Sequence, residues 1–141
     1  MQSFSLKTFD YSKLKQKLSD HQRIAFAFVF GSARFGKLVR HDSDIDIAVW
    51  LTPPINVDDQ LGMIEMCQNA LQYDNIDLIV LNKASTLLCF EAISGIPLVI
   101  NDWDIYVDFF SETSRYYEDQ MILFGNIKKI MHEYKPGSDQ K

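Results

Sequence analysis

The most apolar stretch of the chain, Ile24–Phe30, holds no polar residue, which predicts a strand covered on both faces. Ahead of it, residues 8–20 follow a helical period, with Phe9, Leu14 and Leu18 opposite a lysine-rich face. Gly31 ends the strand. Residues 44–51, DIDIAVWL, predict a second strand, closed by Pro53 and Pro54. Residues 57–72 carry Leu61, Ile64, Met66, Ala70 and Leu71 at helical spacing, and residues 76–81, IDLIVL, predict a third strand. A short helix is expected over 84–94, stopping at Gly95, and a short fourth strand over 96–100. Residues 104–134 read as a long aromatic-rich helix, with Gly125 as a candidate interruption, and the tail 136–141 is expected to fray.

Two strands joined by a short connection and followed by a crossover helix predict an α+β domain. Its mixed β-sheet would have helices packed mainly on one face. At 141 residues, 47% of them hydrophobic, the chain can build one core, so residues 1–135 are expected to form a single domain. A net charge of −5 argues against broad attraction to nucleic acid, and none is expected to bind directly. No apolar run approaches the length of a membrane span, and residues 1–5 lack a signal-peptide pattern, so a cytoplasmic location without a membrane partner is expected. Cys67 and Cys89 belong to no ligand motif and read as reduced thiols on apolar helix faces. His21, His41 and His132 are too scattered for a zinc site. Lys37, Arg40 and His41 share one short loop, which by itself reads as a solvated turn.

Candidate chemistry concentrates at the ends of the predicted strands. Alternation along a strand turns Asp44 and Asp46 to one face, and Ile45, Ile47 and Val49 to the other. Two neighbouring carboxylates repel, and a divalent cation would turn that repulsion into attraction. Asp-x-Asp alone is often no more than a solvated strand edge. Gly31-Ser32 sharpens the reading, because a chain leaving a strand for a helix presents free amides to an anion. Glycine there admits a phosphate, and serine adds a hydroxyl donor. The plainer alternative is a strand-to-helix turn with a serine cap. Asp77 supplies a third carboxylate in an otherwise apolar strand, where a sheet edge or an ion pair would also account for it. Asp74, in the turn before that strand, is expected to face water.

Strand, Gly31-Ser32, strand with Asp44-x-Asp46, and later strand with Asp77 resemble the DNA polymerase β-like nucleotidyltransferase superfamily. Within it, the chain is similar to the small minimal nucleotidyltransferase (MNT) antitoxins of HEPN toxins. The resemblance spans most of residues 20–110. It departs in two places: residues 33–43 put eleven positions between the motifs where ten are usual. The usual arginine three places after the serine is Phe35, with Arg34 one position earlier.

The resemblance implies that Asp44, Asp46 and Asp77 hold two magnesium ions, with Asp77 also helping to deprotonate the acceptor. Gly31, Ser32 and Arg34 are then the phosphate-binding residues. ATP would be the substrate, AMP the transferred group, and a tyrosine of a partner HEPN ribonuclease the acceptor. Tyr106, Phe109, Phe110, Tyr116, Ile127 and Met131, among others, exceed what one helix face needs for core packing, so part of this stripe is expected to meet a partner helix. Two alternatives stay open: neutralisation by binding alone, and adenylylation of a small molecule such as an aminoglycoside.

Overall fold

A computed structural model of the chain describes residues 9–37 and 42–133. Its elements run α1 (Ser12–Ser19), β1 (Ile24–Phe30), a 3-10 turn (Gly31–Ala33) and β2 (Ile45–Leu51). They continue as α2 (Val57–Leu71), β3 (Ile76–Val80), a second 3-10 turn (Leu81–Lys83), α3 (Thr86–Ile93), β4 (Ile96–Ile100) and α4 (Trp103–Glu133). The sheet order is β3-β2-β1-β4. β1 lies antiparallel to β2 and β4, whereas β2 and β3 are parallel and joined by α2, so the sheet is mixed as expected.

β1 is buried at every position, and this sets the layering. One face of the sheet, with Ala27, Val29, Ile47 and Val49, packs against Leu14 and Leu18 of α1 and Met63 and Cys67 of α2. The other face, with Phe26, Phe28, Phe30 and Ala48, packs against Cys89 and Ala92 of α3 and Phe109 of α4. Helices are thus shared more evenly between the faces than the pattern suggested, because a strand apolar on both sides needs cover on both.

Several element details differ from the sequence expectations. Phe9 lies ahead of α1, where its ring meets Tyr73 edge-on at 5.0 Å. α2 buries Met63, Cys67 and Leu71, a four-residue spacing, while Leu61 turns to solvent. Its start is capped by the Asn56 side chain, which accepts from the Asp59 amide at 2.8 Å. α4 runs through Gly125 without a break. A glycine interrupts a helix only where a cap or close approach exploits it, and nothing lies within 4 Å of a Cβ built there. Both cysteines are free and buried, on α2 and α3. Arg40, His41 and the tail 136–141 lie outside the described residues.

Candidate active site

The end of β1 and the head of β2 meet in the antiparallel register, with Phe30 opposite Asp46. The next residue, Gly31, takes φ +73°, a left-handed conformation that strains any other residue. A Cβ at Gly31 would overlap the Asp46 carboxylate, so that carboxylate stands directly against bare backbone. Arg34 then folds back: its Nη1 donates to the Gly31 carbonyl at 2.7 Å, and its guanidinium carbon sits 4.6 Å from the exposed Phe35 ring centre. Tyr11 Oη holds the turn from beneath by donating to the Ala33 carbonyl at 2.8 Å. The turn is a single 3-10 turn, and Ser32 on it is exposed.

Asp77 is opposite Asp46 in the parallel β2–β3 register. It occupies the edge strand and is exposed, so the burial expected to raise its energy is absent. Asp44 is exposed one position before β2, on a segment tied down by Tyr73 Oη to the Ser43 carbonyl (2.6 Å) and the Ile45 amide to the Asn75 carbonyl (2.9 Å). Asp74 is exposed in the turn before β3, as expected. Burial, then the charge of Asp77, then that of Asp44 push the Asp46 carboxyl up to about 6; a hydrogen bond with Asp77 and the charge of Glu91 add to the effect.

Asp46 opens into a cleft of about 480 Å³. Gly31 and Arg34 line one side, and Phe90 and Glu91 of α3, Gly95 and Tyr117 of α4 line another. Asp44, Asp77 and Ser32 are not among its lining residues. The sequence reading missed the α3–α4 wall entirely. Phe90, Glu91 and Tyr117 belong to no motif, and only helix packing across the second sheet face brings them beside Asp46. Gly95 carried a detectable signal only as a helix stop. In the fold its Cβ position would collide with the Val29 carbonyl and lie 2.7 Å from the Phe30 Cβ, so glycine is needed for α3 to turn into β4.

Whether these residues suit magnesium can be judged from Asp46. An elevated carboxyl crowded by two other carboxylates is an oxygen donor set short of positive charge, which a hard divalent cation supplies. Among the described residues no three acidic, histidine or cysteine side chains form a closed metal cage. Magnesium usually takes only one or two carboxylates and completes its shell with substrate phosphates and water, so an open set fits it.

Bare backbone against a crowded carboxylate thus lines a cleft of a size that suits a small ligand. Residues 12–104 match the family model described as polymerase beta, nucleotidyltransferase, and the chain belongs to that family. Comparison with curated proteins found no match. Among solved structures the chain is similar to the minimal nucleotidyltransferase antitoxins of HEPN toxin–antitoxin pairs. One is a toxin–antitoxin MntA–HpeT mutant with two aspartate-to-glutamate substitutions two positions apart, at 27% identity and TM-score 0.65, covering 86% of this chain and 98% of that one. Another is a toxin–antitoxin structure with AMP-PNP, at 27% identity and TM-score 0.61, covering 85% and 98%. A third contains a tri-AMPylated Shewanella oneidensis HEPN toxin in complex with an MNT antitoxin; at 22% identity and TM-score 0.54, covering 83% and 98%, it shares the fold.

Proposed function

We propose that this protein is a magnesium-dependent adenylyltransferase that moves AMP from ATP to a tyrosine hydroxyl of a partner HEPN ribonuclease, and so acts as its antitoxin. The observation that carries the proposal is the cleft of about 480 Å³ that Asp46, the bare Gly31 backbone against it and Arg34 line together. Asp44 and Asp46 would hold magnesium, with Asp77 adjoining. The bound metal would screen the triphosphate and sharpen the electrophilicity of its α-phosphorus. Gly31 and Arg34 orient the distal phosphates, so that the P–O bond to pyrophosphate lies in line with the incoming hydroxyl oxygen. The acceptor proton passes to a neighbouring carboxylate as the new P–O bond forms.

Support comes also from relatives. The aspartate pair altered in the MntA–HpeT mutant has the two-position spacing of Asp44 and Asp46, and a similar chain is associated with an ATP analogue. A phosphodiester-linked AMP adds bulk and negative charge, which would obstruct an RNA groove after the two proteins separate. The test incubates the protein with its HEPN partner, ATP and magnesium, separates the two, and reads the partner's mass and nuclease activity. An AMP increment with lasting inhibition is the expected result. An unmodified partner that regains activity on separation would establish the second reading, neutralisation by binding alone. The apolar surface of the distal half of α4 favours that alternative, since a docking face needs no chemistry.

A further inference from the structure

Phe90 and Tyr117 come from different helices and stack almost in parallel, with ring centres 3.6 Å apart and 4° between planes. Both line the cleft into which Asp46, Gly31 and Arg34 face, and neither is required by the phosphate chemistry. Leu87, one turn before Phe90 on α3 and 60% exposed, extends the same apolar wall to the cleft mouth. The cleft is therefore divided: one side carries bare backbone, a guanidinium and the Asp46 carboxylate, and the other carries flat rings with Glu91 beside them. A molecule with a polyanionic end and a flat aromatic end matches that division.

We infer that the Phe90–Tyr117 pair is the platform for the nucleobase of the bound nucleoside triphosphate. This rests on the nucleotidyltransferase reading and assigns the part of the site that the aspartates and Gly31 leave unspecified. The base is the occupant rather than the acceptor's own ring because the cleft, about 480 Å³, suits a single small ligand whose phosphates lie against Gly31. A protein acceptor must enter through the open mouth toward the same phosphorus. Rings stack on any base, so the platform sets affinity and placement of the nucleoside rather than base identity. Tyr117 also places the nucleoside against α4, the helix whose apolar face continues beyond the domain.

Calorimetry with magnesium separates the two halves of the ligand, using AMP-PNP for the whole and inorganic tripolyphosphate for the anionic end alone. For Tyr117→Ala, AMP-PNP affinity is expected to fall about tenfold while tripolyphosphate affinity stays within about twofold. Tyr117→Phe keeps the ring and should bind both as wild type does. Leu87→Ser, at an exposed position that cannot unsettle the core, should weaken AMP-PNP by a smaller factor. Unchanged AMP-PNP affinity in folded Tyr117→Ala overturns the platform while leaving the nucleotidyltransferase reading intact. So does an equal loss for both ligands, which would mark a structural role. Wild-type protein that binds neither ligand overturns the nucleotidyltransferase reading and the platform with it.

Discussion

At the head of β2 a half-buried carboxylate stands among three other acidic groups, while along the last turns of α4 seven large apolar side chains face water. Each region violates an ordinary rule of burial, in opposite senses. Asp46 is a charge held where charge is disfavoured, on a rigid strand between two others. Met121, Ile122, Leu123, Phe124, Ile127, Ile130 and Met131 are apolar groups left where apolar groups are disfavoured, on a helix that has outrun its domain. Only Phe109 and Thr113 of α4 are buried, and they belong to its first half. The difference lies in what would relieve each violation. A small cation and a phosphate can relieve the first within the chain's own cleft. The second can be relieved by another protein surface, and Phe124 and Met131 repeat Tyr117 at seven-residue steps, on the face that Phe90 covers at Tyr117.

The contrast breaks most visibly at Asp46. Asp46→Asn should lower AMP transfer on the order of a thousandfold, because an interaction made with the reacting phosphate is lost. The same variant should fold at least as well as wild type. Turnover within tenfold of wild type would remove Asp46 from the chemistry, and an unfolded variant would make it structural. Gly31→Val comes next. A branched residue at φ +73° against the Asp46 carboxylate should destabilise the fold by about 2 kcal/mol and erase AMP-PNP binding. Denaturant titration and calorimetry read the two effects, and a variant normal in both would move the nucleotide elsewhere.

Distal α4 should behave in the opposite way. Phe124 is 61% exposed and Met131 69% exposed, so Phe124→Asp with Met131→Asp should leave the unfolding midpoint within about 0.5 kcal/mol of wild type. Capture of the partner should fall more than about tenfold, the loss of one or two buried anchors. Normal capture would show that this face serves some other purpose.

A finer difference is the pH dependence of Asp46. Its folded-state value of about 6 lies above the ordinary 3.8. Between those values the folded chain binds more protons than the unfolded chain, so this group's contribution to stability is present below about pH 4 and is lost as pH rises through 6. Asp46→Asn removes that loss. In metal-free buffer the variant should gain about 1 kcal/mol over wild type at pH 8, a figure discounted for the carboxylate's partial exposure, and nothing at pH 4. A stability difference independent of pH would mean that the carboxylate is not strained.

These expectations rest unevenly on sequence and structure. Asp46 and Gly31 could be singled out because strand alternation and a glycine at a strand end have direct geometric meanings. The fold sets the two side by side, whereas Asp44 falls one position before β2 and outside the cleft lining. The strands themselves were legible because β1 is uniformly apolar and β3 and β4 are short apolar runs between turn residues. On α2, Cys67 and Leu71 are buried and Met66 and Ala70 pack partly against the core. Leu61 is exposed, whereas Met63, which the period did not single out, is buried; only the sheet decides which positions turn fully inward. The α3–α4 wall was illegible because Glu91 and Tyr117, 45 and 71 positions along the chain from Asp46, are brought beside it by packing alone. No local period or spacing encodes such a meeting.

The smallest expected effect sharpens the comparison most. Gly125 lies inside α4 with open space where its Cβ would be, so Gly125→Ala adds a methyl without a clash. Alanine in a helix interior is favoured over glycine by about 0.5–1 kcal/mol. In a helix packed along its length, that gain would raise the unfolding midpoint of the whole domain. Here the turns around Gly125 carry exposed side chains and no buried residue, so they can open without disturbing the sheet. The gain should therefore stay local: slower amide exchange over residues 121–133 by a factor of about 2–5, with the domain's midpoint unchanged. If the partner docks on this helix, the same factor should reappear as tighter binding, because less ordering remains to be done on association. A raised midpoint would mean that distal α4 unfolds together with the domain. Slower exchange without tighter binding would mean that the partner does not use this helix, and the apolar stripe would need another explanation.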